Sequence, residues 1–156
     1  MRALTKQLKG DFEGALGDLV LLDELAPPGE SQDYPHLYTW LVRVRRGQSA
    51  EANRELAAYL GGRRNMRAAD WISTIGQFLL DQISESDFLG GATSSDVEKD
   101  RAQHCEAWYY AGMKRLLAGD KKTAALYFNK CLGTQEKNFD EYNLAQAELK
   151  SLGATN

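Results

Sequence analysis

The sequence predicts an all-α chain of stacked antiparallel helical hairpins, an α-solenoid with a C-terminal capping helix. Three observations carry this. Apolar residues recur at helical spacing along nearly the whole chain, as in Leu37, Trp40, Leu41 and Val44. Turn signals recur at Gly10, Gly47, about Ser84 and Gly119, at intervals of 37, 37 and 35 residues, the mark of one repeated helical unit. The helix after three of these turns opens with a small residue and a large one four positions on: Ala15 and Leu19, Ala52 and Leu56, Ala124 and Phe128.

The first unit covers about residues 1–27. Residues 2–9 read as the remnant of a first helix, too short to stand alone. Gly10-Asp11 turns the chain into a helix over 12–25, with Ala15, Leu16, Leu19, Leu22 and Leu25 facing inward. Pro27-Pro28-Gly29 stops it, because proline lacks the donor a helix needs. The second unit, about 33–61, pairs a helix over 35–46 with one over 49–60 that turns Ala52, Leu56, Tyr59 and Leu60 inward and ends at Gly61-Gly62.

The third unit, about 69–91, is irregular. A helix over 69–80 carries Ile72, Ile75, Gly76 and Leu79; a short one starts at Ser84, with Asp87 completing a capping box. The fourth, about 97–133, opens with the box Ser95-x-x-Glu98 and a helix over 97–118. Gly119-Asp120 turns it into a partner bearing Ala124, Tyr127, Phe128, Cys131 and Leu132. Gly112 and Ala124 remove bulk where the two helices cross, and Trp108 and Phe128 fill the space beside them. A capping helix over about 138–152 shows Phe139, Tyr142, Ala145 and Leu149 inward and Asp140, Asn143, Gln146, Glu148 and Lys150 outward. Stacked repeats need such a half-polar lid.

Trp108, Ala111, Gly112, Ala124 and Phe128 resemble the tetratricopeptide repeat (TPR), W-x2-L-G-x2-Y followed by A-x3-F. Arg115 stands where that pattern has Tyr, and no Pro closes the unit. Residues 106–153, with Asn138, Phe139 and Glu141 opening the last helix, further resemble the end of bacterial TPR lipoproteins of the NlpI type. That resemblance implies a helical adaptor of the cell envelope, often dimeric, which docks other proteins. It also implies that the first helix of each hairpin lines a concave face. Tyr109, Met113 and Leu117, with Tyr38 and Arg45 in the second unit, would lie there, either packed on a neighbouring unit or lining a peptide groove.

Composition narrows the function. A net charge of −3 argues against a nucleic-acid binder. No run approaches the roughly 18 apolar residues of a membrane span. The N-terminal residues lack the apolar core of a signal peptide, and Met1 falls inside a helical pattern. A shortened or partial chain is therefore expected, cytoplasmic on its own evidence and of the envelope if it is part of an NlpI-like lipoprotein. Cys105 and Cys131 begin and end facing helices and could lie near each other; free buried thiols are the plainer expectation.

His36 and His104 lie in different units, outside any metal or triad spacing, and no phosphate-binding or hydrolase motif occurs. No cofactor is expected. Arg43, Arg45, Arg46, Arg63, Arg64 and Arg67 form a basic zone, either a solvated face or a patch for an acidic partner. The expectation is a non-enzymatic scaffold for a peptide or helix of a partner protein. The alternative is a self-associating structural module, such as a homodimer. An enzyme using Glu106, Tyr109 or His104 has almost no support.

Overall fold

The computed structural model describes Lys6 and residues 9–25, 32–63 and 70–154. These are all-helical: α1 Phe12–Leu25, α2 Asp33–Arg45, α3 Ser49–Gly62, α4 Trp71–Leu79, α5 Glu85–Gly91, α6 Val97–Leu117, α7 Lys121–Gly133 and α8 Asp140–Ala154. No strand occurs among the described residues. The short helix expected over 2–9 lies mostly outside them, as do the stop at Pro27-Pro28 and the loop arginines Arg64 and Arg67. The chain divides into two compact units, Met1–Gly76 and Gln77–Asn156.

In the first unit α2 packs on both α1 and α3. Leu37, Tyr38, Trp40, Leu41 and Val42 of α2 are all buried, a wider arc than one apolar stripe, because α2 has a helix on two sides. The turn between α2 and α3 is made by Gly47 at φ 77°, a left-handed conformation that costs glycine nothing. Gly61-Gly62 form the last turn of α3 rather than the break beyond it. Gly76 fits against α3: a Cβ there would stand 2.4 Å from Leu60 Cδ1.

α1 departs from expectation. Ala15 and Leu19 are buried and Leu16 is half-buried, but Leu22 and Leu25 are exposed, Leu25 by 74%. Val20 and Leu21 join them at the surface. α1 packs on α2 through a narrow i, i+4 stripe, so only its first half lies against an apolar neighbour.

In the second unit α6 packs on α5, α7 and α8. Every residue from Cys105 to Met113 except Trp108 is buried. The crossing of α6 and α7 is as close as the small residues suggest: a Cβ at Gly112 would stand 2.7 Å from Phe128 Cε1. Gly119, at φ 84°, turns α6 into α7. The third turn sits at Asp81, φ 59°, instead of Ser84. Ser84 instead caps α5, its Oγ accepting from Asp87 N at 3.0 Å and donating to Asp87 Oδ2 at 2.7 Å.

Two further expectations are corrected. The cap of α6 is Asp96, whose Oδ1 accepts from Lys99 N at 3.0 Å, in place of Ser95. α8 is rolled by one residue, about 100°, from the face expected for it. Glu141, Leu144, Ala145 and Glu148 are its buried set, while Tyr142 and Leu149 are half-buried. Glu148 is therefore interior, not on the polar face. Glu141 has a partner inside: Tyr110 Oη donates to its Oε1 at 3.3 Å.

Candidate functional site

The side chains expected on a partner-binding face are largely interior. Tyr38 in the first unit and Tyr109 and Met113 in the second are buried, and Arg45 and Leu117 are half-buried. Tyr109 packs between Tyr110 and Phe128, with ring centroids 5.2 and 6.3 Å away. The second apolar stripe of α6 is buried because three helices surround α6. Tyr38, Tyr109 and Met113 are thus core residues of their units, while Arg45 and Leu117 keep part of their surface.

Three arginines of the basic zone, Arg43, Arg46 and Arg63, pair with carboxylates of the same unit. Arg43 Nε donates to Glu55 Oε2 at 2.7 Å and Arg43 Nη1 lies 3.4 Å from Glu51 Oε1. Arg46 reaches Glu13 at 3.3 Å. Arg63 is the centre of a network. Its Nε and Nη2 fork onto Asp33, both at 2.9 Å, and its Nη1 donates to Asp70 at 3.0 Å and to Ser73 Oγ at 3.1 Å. Tyr59 Oη donates to Asp33 Oδ1 at 2.6 Å, and the Tyr59 ring stacks on His36 with centroids 3.6 Å apart.

Burial and the Asp33 hydrogen bond push the Tyr59 hydroxyl well above its ordinary range, so it stays a donor. Burial opposes ionisation of Asp70, but the Ser73 N–H and Arg63 outweigh it and hold Asp70 below the usual carboxylate range. The fork leaves Arg63 no free edge for a phosphate, and the network reads as a clamp joining α2, α3 and the start of α4.

The second unit repeats the chemistry with other residues. Arg115 Nε and Nη2 fork onto Glu85 at 2.9 and 2.8 Å, and Tyr127 Oη donates to Glu85 Oε1 at 2.8 Å. The Arg115 hydrogen bonds, then Tyr127, hold Glu85 below its ordinary range. Through this fork the Arg115 guanidinium ties α6 to the start of α5. Beside it, Lys130 Nζ lies 4.2 Å from the Trp108 ring centre, and the Tyr127 ring packs 5.1 Å from Trp108.

One open concavity belongs to the second unit. A groove of about 420 Å³ is lined by Lys121, Lys122 and Ala125 of α7 and Leu149, Leu152 and Gly153 of α8. Asp120 caps α7 ahead of it, accepting from Thr123 N at 3.1 Å. The lysines are exposed, and Leu126, next along α7, is 53% exposed. Its lining thus combines two lysines with the apolar side chains of Ala125, Leu149 and Leu152. Sequence reading missed this groove, since it took Leu149 as part of an interior stripe. The Lys121-Lys122 pair at a helix start, opposite the tail of the capping helix, was the available signal.

Among the described residues no helix is long and apolar enough to cross a membrane, and no three His, Cys, Asp or Glu side chains converge as a metal site. No protein-family model matches the chain, and no curated protein matches it.

Proposed function

We propose that this chain is a non-enzymatic interaction scaffold of tetratricopeptide-like hairpins, stacked as a solenoid with α8 as its cap, that binds a helical or peptide segment of a partner protein. The observation that carries this is the groove between α7 and α8. A lining of two lysines beside alanine and leucine side chains suits an amphipathic segment whose polar side is acidic. The titratable clusters around Asp33 and Glu85 support the same reading, because their groups are committed to one another and hold helices in place.

The test uses two synthetic amphipathic helical peptides with one apolar face in common, one bearing Glu and the other Lys on its polar face. In fluorescence anisotropy the Glu peptide is expected to bind several-fold more tightly at low salt, and the gap to narrow as salt rises. Lys121→Glu with Lys122→Glu should invert the preference. Equal binding of both peptides, or of neither, rejects the assignment.

A second reading rests on Val20, Leu21, Leu22 and Leu25, exposed together on α1. Exposed apolar side chains on one helix favour a partner chain, and a second copy is the simplest one. Light scattering across a concentration series tests it: a constant monomer mass removes it, and a mass that rises to twice the chain's supports it.

A further inference from the structure

We infer that Cys105 and Cys131 form a redox modification site, closing to an internal disulfide between α6 and α7 when the chain meets a low-molecular-weight disulfide. The Sγ atoms lie 3.6 Å apart, in contact, and both side chains are fully buried. Each thiol is thus the other's nearest reaction partner. A rotamer adjustment shorter than the present gap brings the sulfurs to bonding distance. Cys131 Sγ also lies 3.8 Å from the Glu141 carbonyl of α8, which helps to hold it.

Burial decides the rate and the order of events. A thiol with no solvent contact, hydrogen-bonded to a second thiol, ionises poorly, and the Cys131 thiol is pushed well up by Cys105 and then by burial. Attack on an external disulfide therefore waits for local opening. Cys131 stands two residues from the end of α7, beside the turn at Thr134, whereas Cys105 lies in the middle of α6. Fraying of the α7 end exposes Cys131 first.

With glutathione disulfide as oxidant, the Cys131 thiolate, its proton given to solvent, attacks one glutathione sulfur. A mixed disulfide forms and one glutathione thiolate leaves. The Cys105 thiol then attacks Cys131 Sγ, its proton passing to the departing glutathione thiolate. The internal S–S bond forms, the mixed S–S bond breaks and the second glutathione leaves. Two protein thiols are oxidised, and one glutathione disulfide is reduced to two thiols. The product ties positions 26 residues apart across the crossing of α6 and α7.

The experiment incubates the folded full chain with glutathione disulfide, quenches with an alkylating maleimide in denaturant, and reads intact mass. The expected product has lost two hydrogens and carries neither glutathione nor maleimide. Cys105→Ser and Cys131→Ser should each end with a free thiol or a glutathione adduct and no internal bond. The oxidised chain should melt several degrees above the same chain after reductant, because the cross-link restricts the unfolded ensemble. That comparison needs no variant and stands even if the serine variants fail to fold. Two maleimide-labelled cysteines after prolonged exposure, or glutathione adducts accumulating on the wild type as on the single variants, would overturn the inference. So would internal closure only when denaturant is present during oxidation.

Discussion

Replacing Gly112 by alanine isolates how the α6–α7 crossing is built. The new Cβ would stand 2.7 Å from Phe128 Cε1 and 2.8 Å from Cδ1, well inside the roughly 3.5 Å at which carbon atoms rest against each other. The Phe128 ring cannot swing outward, since it is fully buried and lies against Tyr109. Overpacking of this kind costs about 1–3 kcal/mol. Alanine returns about 1 kcal/mol of helix propensity relative to glycine. The net expectation is a loss of about 0–2 kcal/mol.

The control is Gly17→Ala in the middle of α1, where the added Cβ meets nothing within 4 Å. There only the propensity gain remains, about 0.5–1 kcal/mol of added stability. Two chemically identical substitutions should thus carry opposite signs. Thermal unfolding by circular dichroism resolves them, since about 1 kcal/mol moves the midpoint of a unit this size by about 4–8 °C. Phe128→Leu in the Gly112→Ala background should recover part of the loss, giving a coupling energy between the two positions. A rise in midpoint for Gly112→Ala comparable to that of Gly17→Ala, or a coupling near zero, would refute the close-crossing argument.

Three other outcomes follow from the same contacts. Arg63→Ala should destabilise the first unit by about 3 kcal/mol in urea titration, because it strands the buried Asp33 carboxylate, and Arg63→Lys should lie between, lacking the fork. Glu85 is held below its unfolded pKa of about 4.3, so its contribution is present above that pH and is lost as pH falls through the folded value. Glu85→Gln should accordingly flatten the decline of stability on acidification, and an unchanged acid limb would refute the Arg115–Glu85 assignment. Leu22→Glu with Leu25→Glu should leave the melting midpoint within the span of about 0.5 kcal/mol typical of surface changes and lower the mass seen by light scattering if α1 is a self-association surface.

Much of the fold was legible because helices announce themselves locally. The all-α class, the turns at Gly47 and Gly119 and the small residues at the α6–α7 crossing follow from periodicity and backbone sterics within a few residues of each position. The cap at Ser84 was legible for the same reason, and Asp96 displaced Ser95 by a single residue, the usual margin for such ends. The clamps were not legible. Asp33, Tyr59, Arg63 and Asp70, or Glu85, Arg115 and Tyr127, are scattered along the chain, and nothing in their local spacing shows that they meet.

The sequence by itself determined that the described segments are helical and that the chain turns at Gly47 and Gly119, since the necessary information is the 3.6-residue period and the residue type at each break. Only the tertiary structure decided which face of each helix is interior. α6 packs on three helices, so Tyr109 and Met113, which the sequence allowed either as packing or as a binding stripe, became core. Among the described residues α1 packs chiefly on α2, and Leu22 and Leu25, expected inward, are surface. Burial depends on how many helices surround a segment, and a local pattern of apolar residues does not encode that number.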